Sequence, residues 1–212
     1  MGIKQFNYSF FFNHSINAQI QNKNFPIKTK NNFAIPIQNH TGNVKIVKKP
    51  GIYNNIDGLI SSKKYKTSLS IKIADCVPIY LYDTKNEYYG LIHSGWRGTK
   101  NKIITNTLNI FFNKFQSSPE NILIVIGPHI KKCCYEVSWD VAQYFSYITN
   151  KNKNKWLLDL SQEIKNDILN FKIPSHNIYI SNTCTYESLQ CESFRRDGKK
   201  SGRMIGTIQY AK

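Results

Sequence analysis

Apolar and polar positions fall into two regimes that meet near Gly98. Before it, runs of strand length rich in Ile, Val, Tyr and Phe occur at Asn7 to Phe12, Phe33 to Gln38, Val44 to Val47, Ser68 to Ile73, Val77 to Tyr82 and Tyr88 to Ile92, and they predict a first half that is mostly sheet. Beyond Gly98 the period lengthens. Ile103, Ile104, Thr107, Leu108, Phe111, Phe112 and Phe115 recur at helical spacing and line one stripe, which predicts a helix over Lys100 to Phe115. Ile122 to Ile126 ends at Gly127-Pro128 and reads as a buried strand followed by a forced turn. Ser138 is a candidate N-cap for a helix through Val141 and Phe145, and Leu160, Ile164, Ile168 and Leu169 mark another helix before Pro174. Ile178 to Ile180 and Met204 to Tyr210 read as the last strands, separated by a basic turn at Arg195 to Arg203. Strands and helices mix without a regular βαβ rhythm, so the expected fold class is α+β with a mixed sheet.

Composition narrows the class. A chain of 212 residues that is 41% hydrophobic and 13% aromatic is expected to fold as a single domain over residues 1–212. The formal charge of +16 suggests nucleic acid at first, but its lysines are scattered among Asn and Ile, as in Lys28 to Asn32 and Asn150 to Lys155. A compositional drift of that kind implies no specific nucleic-acid partner and leaves long-range steering of anionic substrates. The Asn/Lys-rich stretches Gln21 to Asn32 and Asn150 to Lys155 read as surface loops. Five cysteines, an odd count in a chain of this size, argue against a disulfide framework and for a reducing compartment. Asn7, Ser9 and Asn13 interrupt the apolar cluster Phe10 to Phe12, so no export signal is expected, and no apolar run has the length of a membrane helix. The expected location is the cytoplasm.

Three soft-metal ligands stand at comparable places, each at or just beyond a predicted strand end: His40, Cys76 and His93. Two imidazoles and a thiolate suit zinc, and three protein ligands leave one tetrahedral position open for chemistry. Taken singly, each has a structural reading: Cys76 as a small core residue, each His as a partner of the backbone. Asp75 is a candidate hydrogen-bond acceptor for His40 or His93, or a general acid or base, with strand-end capping as its structural reading. Gly95 and Gly98 bracket Arg97 where a strand leads into the helix, a natural anion site with Arg97 as the first candidate for phosphate, while Gly95-Trp96 also reads as a tight turn with Trp96 in the core, and the two readings are compatible. Arg195, Arg196, Lys199, Lys200 and Arg203 form the densest basic cluster and read as a solvated hairpin tip.

The local words around these residues are more specific. Ala74-Asp75-Cys76-Val77-Pro78, His93-Ser94-Gly95-Trp96-Arg97-Gly98, Gly127-Pro128-His129-Ile130 with Cys133-Cys134-Tyr135-Glu136-Val137, and Arg195-Arg196-Asp197-Gly198 with Gly202-Arg203-Met204 resemble, in that order, the motifs of the YfiH/laccase-domain family. The resemblance spans about Phe33 to Tyr210. It implies a layered sandwich of mixed β-sheets flanked by helices, in four layers, with the metal in a surface pocket. It also implies that the metal is held by the His of Gln38-Asn39-His40, by Cys76 and by His93. Thr41 stands where the family usually has Gly. Cys133 and Cys134 are implied to lie near the site, one facing the pocket, with Cys133 as a candidate nucleophile. Gln38, His129, Arg195 and Arg203 join Arg97 as candidates for substrate or phosphate.

What the resemblance implies for function is a zinc-dependent purine nucleoside phosphorylase, acting on adenosine, inosine, guanosine and methylthioadenosine, with adenosine deamination as a second activity. The expected partners are small molecules, with no membrane and a monomer or weak homodimer. Three alternatives stand beside it: a copper-dependent polyphenol oxidase, an editing hydrolase of a cell-wall precursor, and a basic binding protein with a structural metal. One His2Cys site disfavours the oxidase, which would need several His-rich copper centres.

Overall fold

A computed structural model describes residues 6–21 and 32–211; the loop expected over Gln21 to Asn32 lies, from 22 to 31, outside the described residues. In chain order the strands of the first half are β1 (Phe6–Asn7), β2 (Ile16–Gln21), β3 (Phe33–Ile37), β4 (Val44–Ile46), β5 (Gly51–Asn54), β6 (Gly58–Ser62), β7 (Ser68–Ile73), β8 (Val77–Asp83) and β9 (Tyr88–Ser94). There follow α1 (Trp96–Lys100), α2 (Ile103–Phe115), β10 (Ile122–Ile126), β11 (Glu136–Val137), α3 (Trp139–Ala142), β12 (Ile148–Asn152), β13 (Lys155–Leu158), α4 (Leu160–Leu169), β14 (Ile178–Ile180), α5 (Phe194–Asp197) and β15 (Met204–Tyr210). The first sheet has the order β1-β2-β15-β7-β3-β5, the second β14-β10-β8-β9-β6-β4, and a small third β11-β13-β12. Both large sheets are mixed: β3 runs parallel to β5 and β7, β4 to β6, and β10 to β14. The fold is α+β.

The second sheet lies between two cores, which explains why β8 and β9 are apolar without alternation. Side chains of successive residues point to opposite faces. Ile79, Leu81 and Ile92 therefore join the core under the helices, while Tyr80, Tyr82 and Leu91 join the core against the first sheet. On the helical side α2 buries the predicted stripe through Ile103, Ile104, Thr107, Leu108 and Phe111. Phe115 stacks on Tyr88 at 3.7 Å, and Phe112 stacks on Phe171 at 5.4 Å. Val137 and Leu158 of the small sheet pack into this same core. Among the described residues no helix is long and apolar enough to cross a membrane.

Several local expectations are corrected. Asn7 to Phe12 does not form one strand: after β1 the chain tightens into a 3₁₀ turn over Ser9–Phe12, closed by Asn13 and His14 at positive φ. Three consecutive phenylalanines cannot share one sheet face, and here Phe12 is buried while Phe10 stays on the surface. The helix expected from Lys100 is split, because Lys102 takes a left-handed φ of 56° between α1 and α2. The helix after Ser138 is a single turn. The loop expected at Asn150 to Lys155 is instead the tip of the β12–β13 hairpin, whose side chains are largely exposed on both faces, so that no hydrophobic pattern marks it. Arg195 to Arg203 is not a hairpin tip either. It carries α5, and it joins β14 of the second sheet to β15 of the first.

Candidate metal centre and its cleft

Strand pairing brings the three ligand candidates together. In the parallel pair β3/β7, Phe33 stands opposite Ser68, and extending that register brings Gln38 level with the end of β7. The Gln38 amide seals the pairing: its nitrogen donates to the Lys72 carbonyl at 2.8 Å, and its oxygen accepts from the Lys72 N–H at 2.8 Å. His40 follows at once. From the end of β7 the chain crosses to the second sheet through Ala74-Asp75-Cys76 and enters β8, where Pro78 lies opposite His93 of β9. The His40 and His93 rings meet edge to face with centroids 4.9 Å apart, and the ligand atoms of His40, Cys76 and His93 all lie within 4.8 Å of one another.

One buried carboxylate, which the sequence reading did not single out, positions both imidazoles. Asp57 precedes β6, the antiparallel neighbour of β9, and its Oδ1 lies 2.9 Å from His93 Nδ1. That contact turns Nε2 of His93 toward the cluster. The same carboxylate accepts the successive backbone N–H groups of Asn39 at 3.2 Å, His40 at 3.1 Å and Thr41 at 2.7 Å, together with the Thr41 hydroxyl at 2.9 Å. His40 is held at a φ of 58° within this nest. The positive φ thus falls on His40 and not on Thr41, so a threonine where the family has Gly does no harm. It adds a hydroxyl to the nest. Burial opposes ionisation of Asp57, yet the bonds from His93 and Thr41 hold its carboxyl below the usual range. Burial likewise opposes the Cys76 thiolate, but the neighbouring His93 and His40 rings draw the thiol down to about 6. Burial would lower His93, and the Cys76 sulfur and Asp57 outweigh it, raising the ring to about 9.

Gly95 makes the ligand geometry possible. A Cβ there would stand 2.8 Å from Cys76 Sγ and 3.2 Å from His40 Cδ2. Gly95→Ala should therefore leave the fold intact and lower affinity at this centre by about tenfold to a hundredfold, the range seen when a ligand's support is disturbed. Competition with a chelator reads this directly, and unchanged affinity would mean that the ligands do not converge as described.

The cluster opens into a cleft of about 900 Å³. Beside the three ligands, Gln38, Ser70, Lys72, Asp75, Arg97, Arg195 and Arg203 supply its polar lining, and Ile37, Trp96, Tyr135 and Phe194 much of its apolar lining. Trp96 serves both readings: half-buried, it packs against the core under the helices and also forms a wall of the cleft, with the Arg97 guanidinium over its ring at 4.3 Å. No ion pair among the described residues ties Arg97 down. Arg195 Nη1 donates to the Glu136 carbonyl at 2.8 Å and its guanidinium lies over Tyr135; Arg203 donates to the carbonyls of Ser201 and Gly202 and lies over Phe194. Arg196 is structural, bonding the carbonyls of Thr185, Tyr186, Ser188 and Cys191.

Of the remaining candidates, Asp75 lines the cleft, whereas His129, Cys133 and Cys134 do not. Asp75 meets neither imidazole by hydrogen bond. One carboxylate oxygen accepts the Thr185 hydroxyl at 2.6 Å and the other the Arg195 N–H at 2.6 Å, so Asp75 fastens α5 to the β7–β8 crossover. His129 is fully buried outside the cleft lining, its Nδ1 paired with the Gly127 carbonyl at 2.7 Å. Burial, then the charge of Lys131, pushes that ring down to about 3, so it stays neutral. Cys133 and Cys134 face a separate depression, and neither lines the main cleft.

Comparison with known proteins places this geometry among relatives. Residues 13–211 match the family model described as multi-copper polyphenol oxidoreductase laccase. The chain is similar to a purine nucleoside phosphorylase of Clostridium acetobutylicum, 35% identical over 158 residues that cover 72% of this chain and 66% of the relative. It is also similar to one of Staphylococcus epidermidis, 32% identical over 87% of this chain and 71% of that protein. The aligned part is thus about two thirds to three quarters of the relatives' length. In fold it superposes on the hypothetical protein YfiH of Bacillus licheniformis with a TM-score of 0.85 at 23% identity, covering 93% of each chain. YlmD of Geobacillus stearothermophilus gives 0.86 at 22%, again over 93% of each.

Proposed function

The chain belongs to the family described as multi-copper polyphenol oxidoreductase laccase, and on that premise we propose that it is a zinc-dependent purine nucleoside phosphorylase with adenosine as its first substrate. The observation that carries this reading is the opening of the His40, Cys76 and His93 cluster onto one cleft walled by both cations and aromatic rings. Relatives named purine nucleoside phosphorylase support it. The cleft volume of about 900 Å³ is ample for a nucleoside and a phosphate together.

His40, Cys76 and His93 would hold the ion, and the donor set of two imidazoles and one thiolate fits zinc. Bound there, zinc would supply Lewis-acid polarisation or an acidified water. The chain's own groups do the rest. Arg97, over the Trp96 ring and without an ion pair among the described residues, presents its N–H fork to phosphate, with Arg195, Arg203 and Lys72 adding positive potential. Trp96, Tyr135 and Phe194 offer faces for a purine. A phosphate oxygen attacks the ribose anomeric carbon, the glycosidic C–N bond breaks toward the purine nitrogen, and a proton from solvent completes the free base beside ribose 1-phosphate. Asp75 acts here as a positioning residue for Arg195. Inosine, guanosine and methylthioadenosine present the same anomeric bond, and deamination of adenosine at the same metal is a second activity of this reading.

Purified protein should release adenine from adenosine only when phosphate is present, with ribose 1-phosphate formed in equal amount. No turnover of adenosine or inosine under any condition would sink the proposal. The family's description favours one rival, copper-dependent oxidation of phenols. Of the five histidines, only His40 and His93 meet at the cleft among the described residues, too few for the several His-rich copper centres of a multi-copper oxidase. Metal analysis of protein prepared without added copper, alongside phenol turnover, separates the two.

A further inference from the structure

A second group of soft ligands stands together outside the cleft lining. Cys133, Cys134, Cys184 and Glu187 each offer one ligand atom, and the four atoms lie within 4.8 Å of one another. Two loops bring them together. Leaving β10, the chain turns through Gly127-Pro128 to His129, which bridges Cys184 in parallel, and the Thr185 N–H donates to the His129 carbonyl at 3.1 Å. Each loop then folds tightly on itself: Cys134 N–H donates to the Lys131 carbonyl at 3.0 Å, and Ser188 N–H to the Cys184 carbonyl at 3.0 Å. Cys133 Sγ and Cys134 Sγ are 3.2 Å apart. The Cys184 sulfur is buried and receives the Lys131 backbone N–H at 3.4 Å. An amide donated to a sulfur favours its thiolate, the form that binds a metal.

We propose that Cys133, Cys134, Cys184 and Glu187 form a second metal site, separate from the His40, Cys76 and His93 centre, that takes a thiophilic divalent cation, zinc foremost. Three thiols and one carboxylate complete a tetrahedral shell, which makes a closed structural site and leaves no open position. Ligand atoms around tetrahedral zinc stand about 3.5 to 3.8 Å apart, and the observed grouping is within side-chain rotation of that. A disulfide is the competing use of adjacent cysteines, but their Cα atoms are about 3.8 Å apart, short of the 4.4–6.8 Å that a disulfide spans. On binding, each thiol gives its proton to solvent as its sulfur takes the ion. The ion would tie the turn that carries Tyr135 to the loop that Arg196 clamps. That fixes the cleft wall on which Arg195 rests, through its bond to the Glu136 carbonyl.

The test counts metal and needs no nucleoside. The full chain is stripped by chelator under reductant, loaded with Zn²⁺ alone, desalted and assayed for zinc per chain. Wild type should hold two, Cys76→Ala one, and Cys133→Ser one; Cys184→Ser should match Cys133→Ser. Because Cys184 is buried, Cys133→Ser at the surface is the reference variant, with circular dichroism to show that it is folded. Cobalt loaded into Cys76→Ala should give thiolate-to-cobalt charge transfer in the near ultraviolet, and the added Cys133→Ser change should remove it. A Cys76→Ala protein that keeps no zinc, or whose cobalt shows no thiolate band, overturns the proposal. One ion kept in Cys76→Ala and lost in Cys133→Ser upholds it even where the cleft centre itself fails.

Discussion

Replacing Cys76 by alanine should yield a folded protein whose cleft no longer retains metal and whose nucleoside turnover falls by about a thousandfold or more, equivalent to about 4 kcal/mol of lost transition-state stabilisation. The thiolate is the anionic member of the three-ligand set, and Sγ sits so close to Gly95 that a Cβ there would stand 2.8 Å from it. The fold has little stake in it. Cys76 is a small, half-buried side chain, and its truncation costs about 1 kcal/mol of packing. The crossover it sits on is secured by other bonds: the Ile130 N–H to the Asp75 carbonyl at 3.0 Å, and the Asp75 carboxylate to Thr185 and Arg195. A thermal melt close to that of metal-free wild type, read beside metal content and phosphate-dependent turnover, checks the expectation. If the variant unfolds, the ion is structural and the binding-protein reading gains; if it turns over adenosine normally, the centre plays no part in catalysis.

Asp57→Ala should be more damaging to the protein as a whole. The carboxylate accepts five hydrogen bonds, from Asn39 N, His40 N, Thr41 N, Thr41 Oγ1 and the His93 ring. Removing it leaves donors unsatisfied around a fully buried position, at a cost of about 3 kcal/mol or more. It also frees the 39–41 turn and the His93 ring together, so metal affinity should fall by at least about a hundredfold. Asp57→Asn keeps an acceptor oxygen but turns an amide toward the N–H nest, and should fall between wild type and alanine in both measurements. Urea unfolding and chelator competition on the two variants make the check. If Asp57→Ala melts like wild type and binds metal as tightly, the carboxylate does not organise the centre.

Much of this was legible in the sequence where one face of an element is buried. The α2 stripe, β7, β10, β14, β15 and α4 follow their apolar periodicity. Elements without an alternating or helical apolar pattern are not legible. β5 is mostly exposed, β12 is Asn- and Lys-rich, β13 is only four residues long, and β6 hides Ser61 and Ser62 in the interior, where the Ser61 hydroxyl bonds the Val47 carbonyl. Cys76 and His93 announce themselves through the Ala74-Asp75-Cys76 and His93-Ser94-Gly95-Trp96 words. Asp57 does not: Asp57-Gly58 reads as an ordinary turn pair, and its partners come from residues 39–41 and from β9, which only the folded sheets bring near. The partners of Asp75 are hidden for the same reason: a φ of 80° turns its carboxylate toward Thr185 and α5, which agrees with its capping reading, while the residue still lines the cleft.

The position of β15 bears on when the centre comes into being. This strand lies between β2 and β7 and pairs with both, although His40, Cys76 and His93 all precede it by most of a domain's length. A nascent chain halted on the ribosome after β14 would therefore already contain every ligand, and its first sheet would still be open down the middle. Metal retention is then expected only once β15 has paired, and a chain cut short before β15 should retain less metal than the full chain.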